Sequence, residues 1–430
     1  MEEKSKVILL FVAICSFVLV AKTAQLQIFD SKYQEQARRT TLDKLIKYPS
    51  RGLIFDRNNK LLVSNSTIYD IEVIYNNVPE GIDTSEICNL LGIDKNMFKK
   101  KINKNFKNPQ YHKAIPFTFL SKVRPEQFSV FQEHLHKYPG FYPVERNIRN
   151  YPHHNVAHAL GFLGEVNKRE VANNSENYRN GDYIGKSGLE RTYEYALKGK
   201  KGVGYVLKDN LGRNVESFDN GSLDSSAVSG SDIISTLDLD LQAYGEELMK
   251  NKMGSIVAIE PSSGEILAML SSPTYDPNLL NLDRNRGVSY DSLSMDTLYR
   301  PLFDRSVMAK YPPGSIFKTV LSLIAMEKGT LKPNRTVYCD GVYELDSKGL
   351  YKQKCHHHPT PYNVSLALQH SCNSYYYQTL REFIDSYGYT TPGKGLDTLV
   401  SYLKDFGLGD KLGIDYHTEG KGFLPTSDLY

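Results

Sequence analysis

The sequence predicts an α+β protein in three parts: one membrane-spanning helix, a β-rich region, and a last region in which helices flank a sheet. Three observations carry this prediction. Residues Val7 to Ala21, VILLFVAICSFVLVA, are the only long uncharged apolar run in the chain. Beyond it come short strand-like stretches broken by Gly, Asn and Asp turns. After the small, polar, Gly-bearing segment 218–231, FDNGSLDSSAVSGS, apolar strands and amphipathic helices follow. The main boundary is therefore expected near 230, which gives regions 1–29, 30–230 and 231–430.

Composition removes several function classes. Of the 430 residues, 40% are hydrophobic and 23% charged, so a disordered or fibrous chain is excluded. Lys and Arg number 52 against 49 Asp and Glu, a net charge of +3. Nucleic acid is therefore not expected as a partner, since phosphate neutralisation asks for a larger basic surplus. Five cysteines do not make a disulfide scaffold.

The apolar run of 15 residues is flanked by Lys4, Lys6 and Lys22. It is shorter than the roughly 20 residues that span a bilayer, but TAQLQIF can extend it with Lys22 snorkelling. No small-x-small cleavage site ends it cleanly, so an uncleaved signal anchor is expected, with the rest of the chain outside the cytoplasm.

Downstream, Ser50 to Val63, where a short apolar run meets the turn Asp56-Arg57-Asn58-Asn59 and resumes as Leu61-Leu62-Val63, reads as a β-hairpin. Helical patches are expected around Ile87–Leu91 and Phe128–Leu135. Two Gly-bearing blocks, 149–164 and 185–190, read as packing and turns. Residues 202–217 read as strand. Thr236-Leu237-Asp238 with Leu239, Leu241 and Leu248 opens a helix. Gly254–Glu260 and Glu265–Leu270 form a hairpin, and its near-continuous apolarity predicts cover on both faces.

The chemistry begins at Tyr311-Pro312-Pro313-Gly314-Ser315-Ile316-Phe317-Lys318, two prolines and a glycine before an apolar helix. Ser315 stands at the helix start with Lys318 one turn on. A serine hydroxyl needs a base, and a lysine desolvated by apolar neighbours can serve as one. The amides of the helix start would favour the charge that develops on an attacked carbonyl. A second Ser-x-x-Lys, Ser401 and Lys404, lies in an ordinary amphipathic pattern. Only the first is followed, 56 residues on, by Ser371-Cys372-Asn373. Taken singly, Ser371 reads equally as a helix cap and Asn373 as a turn residue. A similar triplet, Ser175-Glu176-Asn177, precedes the serine in a polar loop.

In sum these motifs resemble class B penicillin-binding proteins, most of all the elongation type, penicillin-binding protein 2. The resemblance runs through R-G-x-I-x-D-R-N at Arg51–Asn58, R-x-Y-P at Arg149–Pro152, G-x-S-G-L-E at Gly185–Glu190, the Ala258–Met269 hairpin, S-P-T-Y-D-P-N at Ser272–Asn278, and the Ser315 and Ser371 motifs. It implies an elongated β-rich pedestal over 30–230 and a transpeptidase domain over 231–430. It also implies peptidoglycan cross-linking through an acyl-enzyme, with Ser315 as nucleophile, Lys318 as general base, Ser371 as proton relay and Asn373 as a partner of the substrate amide. Acylation would need no cofactor. The implied partners are peptidoglycan stem peptides, β-lactams and a membrane glycan polymerase of the cell-elongation machinery, and the implied location is the inner membrane with the bulk of the chain periplasmic.

The sequence departs from that pattern twice. Asn59 replaces a customary Gly, which is benign because Asn also tolerates the left-handed conformation. No Lys-Thr-Gly or Lys-Ser-Gly follows Asn373, and Lys186-Ser187-Gly188 precedes the nucleophile. The chain is therefore expected to be a fragment, truncated at its C-terminus, poorly folded and inactive alone. A β-lactamase and a non-catalytic β-lactam sensor or polymerase-activating scaffold are the competing readings. The missing motif speaks for the last, and the intact Ser315, Lys318, Ser371 and Asn373 speak against it.

Cys339, Cys355, His356, His357, His358 and Cys372 also fall close together. Three thiolates and one imidazole would close a tetrahedral zinc site. His358 is the expected imidazole, because adjacent residues such as Cys355 and His356 point apart. A Cys339–Cys355 disulfide and a solvated His run are the alternatives.

Overall fold

The computed structural model describes residues 2–25, 42–107, 111–179, 181–208, 214–281, 286–345 and 351–429. Residues 26–29 of the expected anchor region and 209–213 of the expected strand region lie outside them. Helices and sheets are mixed throughout, and the chain divides into two compact units, Met1–Leu302 and Phe303–Tyr430. Helix α1 (Glu2–Ala24) carries the apolar run, and its side chains are described from Leu10. Among the described residues no helix is long and apolar enough to cross a membrane.

In the first unit β1 (Leu42–Lys47) precedes the predicted hairpin, β2 (Ile54–Phe55) and β3 (Leu61–Val73). Fully buried Asp56 closes its turn, Oδ1 accepting from the N–H groups of Asn58 and Lys60 at 2.8 and 2.7 Å. Asn59 takes φ 61° there, the left-handed conformation expected of it. β3 runs far past the hairpin. Helices α2 (Thr84–Leu91), α3 (Lys95–Ile102) and α4 (Pro125–His134) pack with its partners β4 (Phe117–Val123) and β5 (Phe141–Asn150), both antiparallel to it. Ile71, Leu91, Phe98, Phe119, Phe131 and Phe141 fill that core, each contributing roughly 1.5–3 kcal/mol by burial. Asp83 and Asp94 cap α2 and α3 by accepting from Ser85, Glu86 and Met97 N–H groups.

The two blocks read as packing and turns hold more than that. β6 (Leu163–Glu165) pairs with β7 (Tyr183–Gly185), and the short helix after β7 carries fully buried Glu190. Arg149 Nε donates to its Oε1 at 2.6 Å and Arg51 Nη2 lies 2.7 Å from its Oε2. Three separate sequence motifs thus meet at one carboxylate, because a charge in the interior requires opposite charges and hydrogen bonds around it. Gly52 backs onto Ser231, where a Cβ would come within 1.9 Å of the carbonyl oxygen.

β8 (Gly202–Lys208) pairs antiparallel with β1 and with β9 (Asn214–Ser217), and β10 (Ile233–Ile234) lies parallel to β2. Helix α5 (Leu239–Leu248), capped by Asp238, covers the hairpin of β11 (Gly254–Ile259) and β12 (Ile266–Ser272). Buried Gln242 bonds both backbone groups of Met269, at 2.9 and 3.1 Å. The expectation of cover on both faces fails: β12 is buried over Ala268–Ser272, but Val257 and Ile259 are 43% and 57% exposed. The two strands pair only with each other among the described residues, so β11 keeps a bare edge.

The second unit is helical. Its core joins α6 (Phe317–Glu327), α7 (Val364–Gln369), α8 (Asn373–Asp385) and α9 (Pro392–Asp405) through Leu321, Ile324, Ala367, Tyr375, Phe383 and Leu399, while the mostly exposed hairpin of β13 (Val342–Glu344) and β14 (Lys352–Lys354) stacks Tyr343 on Tyr377 of α8. Gly395 lets α9 approach α8, since a Cβ there would lie 2.5 Å from the Ile384 carbonyl oxygen.

Candidate functional site

Ser315 occupies a single 3-10 turn, Gly314–Ile316, that feeds α6, with Gly314 at φ 58°. Its side chain is exposed. Lys318, one turn on, is 9% exposed. The predicted pair does not act alone: the hydroxyl of Ser371 stands against both, 2.8 Å from Ser315 Oγ and 3.0 Å from Lys318 Nζ. Lys318 Nζ also donates to the Ser371 carbonyl at 2.7 Å and to Asn373 Oδ1 at 2.6 Å. All four predicted residues are therefore brought together. Burial pushes the Lys318 pKa below the usual lysine value, and the Cys355 and Cys372 thiols act in the opposite sense. A proton can pass between the serine and the amine along these contacts.

The backbone explains how Ser371 arrives. Helix α7 ends with the N–H groups of Ser371 and Cys372 bonded to the Leu368 and Ala367 carbonyls, and Ser371 takes φ 48°. A left-handed serine costs of order 1–3 kcal/mol, which the surrounding bonds hold in place. The bland readings of the triplet are both displaced. Cys372, not Ser371, caps α8, its Sγ accepting from Tyr375 N–H at 3.3 Å, and Asn373 is the first helical residue rather than a turn.

Two residues escaped sequence reasoning. Ser322 donates to the Lys318 carbonyl at 2.8 Å and lies 2.7 Å from the Tyr376 hydroxyl, both buried. The Tyr376 ring in turn lies 5.7 Å from Lys318 Nζ. The available signal was a serine four residues after Lys318 on an otherwise apolar helix face.

Cys339, Cys355, His358 and Cys372 also converge, with one potential ligand atom from each and all of these within 4.8 Å of one another. Cys355 Sγ lies 3.4 Å from His358 Nε2. His358 Nδ1 carries a hydrogen, because it bonds the Pro359 carbonyl at 2.8 Å, and this bond turns Nε2 toward the thiols. Burial pushes the Cys355 thiol up. The backbone N–H groups of Ser374 and Asn373 outweigh it, with His358 and Cys339, and bring the pKa down to about 6. Burial pushes Cys372 up to about 12. All three cysteines are free thiols, so the alternative Cys339–Cys355 disulfide is not formed. The donor set fits a closed zinc site.

The decoys lack these contacts. Ser401 is exposed on α9 and Lys404 pairs with Asp410 at 3.4 Å. Lys186 is engaged by Glu170 at 2.6 Å, and Ser175 to Asn177 lie in an exposed turn.

Two family descriptions match successive stretches of the chain. The family description "Penicillin-binding Protein dimerisation domain" matches residues 46–235, and "Penicillin binding protein transpeptidase domain" matches residues 254–429. A curated relative, peptidoglycan D,D-transpeptidase MrdA of Haemophilus influenzae, is 30% identical over 439 aligned residues that take in 99% of this chain. The chain spans 64% of that relative's length. Among solved structures, the complex between penicillin-binding protein PBP2 and MreC from Helicobacter pylori matches with TM-score 0.71 at 22% identity, covering 90% of this chain and 70% of that one. A structure titled for the coordination of polymerization and crosslinking by a peptidoglycan synthase complex matches with TM-score 0.62 at 26% identity, over 99% and 71% of the two chains.

Proposed function

The chain belongs to the penicillin-binding protein family, and from that premise we propose that it is a peptidoglycan D,D-transpeptidase of cell-wall elongation acting through Ser315. The observation that carries the reading is the Ser315–Ser371–Lys318 network, with Oγ to Oγ at 2.8 Å and Oγ to Nζ at 3.0 Å. The neutral Lys318 amine takes the Ser315 proton by way of the Ser371 hydroxyl. Ser315 Oγ then attacks the penultimate D-Ala carbonyl of a stem peptide. The amide C–N bond breaks, Ser371 returns a proton to the departing D-Ala amine, and an ester remains on Ser315. The amine of a neighbouring stem peptide resolves the ester into the cross-link. A β-lactam amide would be opened by the same attack and remain as the acyl-enzyme. Asn373 would orient the donor amide. The assembled Ser315, Lys318, Ser371 and Asn373 network opposes the non-catalytic reading.

The dimerisation-type pedestal is assigned to 30–230 and the transpeptidase domain to 231–430. The anchor is assigned from Val7–Ala21, within a helix about 35 Å long at 1.5 Å per residue. Leu10, Phe11, Phe17 and Leu19 on it are more than half exposed, as suits lipid contact, with the bulk of the chain periplasmic. A membrane glycan polymerase is the proposed partner, supported by the likeness to a peptidoglycan synthase complex. Cys339, Cys355, His358 and Cys372 would hold one zinc, which supplies a structural pin when bound.

The test is labelling by a fluorescent penicillin with peptide mass mapping. Label on Ser315, lost in Ser315→Ala, is expected. Label that persists in that variant would refute the assignment.

A further inference from the structure

A cavity of about 400 Å³ opens in the first unit and shares no lining residue with the serine–lysine site. Its size falls within the range of small-ligand sites, about 300–1,000 Å³. One wall is braced by the Glu190 network: the Tyr178 hydroxyl donates to Glu194 Oε1 at 2.8 Å, and Glu194 Oε2 holds Arg51 Nη2 at 2.5 Å. Asp182, 3% exposed, adds a second polar group. Its Oδ2 accepts from the Arg179 N–H at 2.7 Å and from the Lys201 ammonium. Its buried Oδ1 has no hydrogen bond of good geometry among the described residues, with the Tyr48 hydroxyl nearby. A buried acceptor in that condition favours a ligand that brings a donor.

The charges point the same way. Five cationic side chains line the cavity against two acidic ones. Arg51, Arg146 and Lys201 are paired with carboxylates. Lys198 and Lys200 have no carboxylate at ion-pair distance among the described residues. Lys198 Nζ instead lies 4.8 Å from the centre of the Tyr178 ring. Burial lowers its affinity for the proton, a cost that a bound anion would relieve. Tyr195, 76% exposed, adds an aromatic face that suits the C–H surface of a sugar ring, whereas the Tyr48 ring is already covered by Arg146 and Lys201 at 4.7 and 5.4 Å.

We propose that this cavity binds an anionic saccharide, its carboxylate or phosphate at Lys198 and Lys200, a hydroxyl donating to Asp182 Oδ1, and its ring against Tyr195. The site stands whether or not Ser315 is acylated. The same chemistry is offered by glycan chains with free muramyl carboxylates and by sugar phosphates.

The test titrates the full chain carrying Ser315→Ala, in detergent, with three probes: an N-acetylglucosamine–N-acetylmuramic acid tetrasaccharide, N-acetylglucosamine 1-phosphate, and neutral chitotetraose. Saturable binding of at least one anionic probe is expected, weakening with salt. The tighter of the two identifies the source of the ligand. Affinity should fall on the order of tenfold in Lys198→Gln/Lys200→Gln and in Asp182→Asn. Tyr195→Ala, at an exposed position, should weaken binding with an unchanged thermal transition. Absence of saturable binding, equal binding of chitotetraose, or undiminished affinity in the folded variants would each overturn the proposal. Penicillin labelling of the chain with Ser315 intact reads the transpeptidase assignment separately.

Discussion

The backbone N–H of Asn373 donates to Sγ of Cys355 at 3.1 Å, and its side-chain amide donates to the Lys354 carbonyl at 3.2 Å. The same side chain accepts Lys318 at 2.6 Å through Oδ1. One residue thereby joins the thiol cluster to the reacting amine. Cys372→Ser or Cys355→Ala should slow penicillin acylation by about 10-fold to 100-fold, the usual cost of disturbing the shell that orients a site. Chelation should lower the thermal midpoint by metal linkage. Elemental analysis of protein purified without a His tag checks the premise, and metal well below one equivalent would remove it.

Lys318→Ala is expected to reduce acylation by roughly 10²–10⁴-fold, the range of a general base. Ser401→Ala should leave labelling unchanged, since Ser401 is exposed and Lys404 is held by Asp410. Stopped-flow labelling measures both. Equal losses in the two variants would leave Lys318 without a special role.

Tyr376→Phe keeps the ring near Lys318 but loses the bond to Ser322, and should cost about 0.5–1.5 kcal/mol of stability. Tyr376→Leu also loses the ring and should slow acylation more than the Phe variant does. Denaturant melts beside acylation rates separate the effects, and identical rates would show that the ring has no part in holding the amine.

Glu190 predicts an acid sensitivity. Burial alone would push its carboxyl up, but Arg51 and Arg149 outweigh burial and hold it below the usual value. A carboxyl with a depressed folded-state pKa contributes stability that is fully present above its unfolded value, about 4.3, and lost as pH falls through the folded one. Glu190→Gln should therefore destabilise the chain at pH 7 by roughly 3–5 kcal/mol, because buried Arg149 loses its charge partner and Arg51 keeps only Glu194. It should also flatten the loss of stability below pH 4. Thermal melts across pH 2 to 7 decide, and a variant that melts in parallel with the parent would contradict the assignment.

Val257 and Ile259 lie on the bare edge strand β11. Val257→Lys in residues 30–430 should raise the concentration at which light scattering detects aggregates, since an edge charge opposes strand addition. Unchanged scattering would locate the sticky surface elsewhere.

The local pattern of the chain determined much of this protein. Hairpin and helix positions were legible where a turn or period is written in adjacent residues, as at Asp56–Asn59, the leucines from Leu239 to Leu248 and the Pro-Pro-Gly entry to Ser315. The identity of Ser315, Lys318, Ser371 and Asn373 was legible through motif order, and His358 through the opposed directions of neighbouring side chains. Three things were left to the tertiary structure. Glu190 became the meeting point of Arg51 and Arg149, Ser322 and Tyr376 came to brace Lys318, and the covered hairpin proved bare along β11. Each depends on residues tens to hundreds of positions apart. Burial and charge pairing act through distance in space, which short-range periodicity does not encode, whereas turns and caps are hydrogen bonds among neighbours and can be read from the sequence itself.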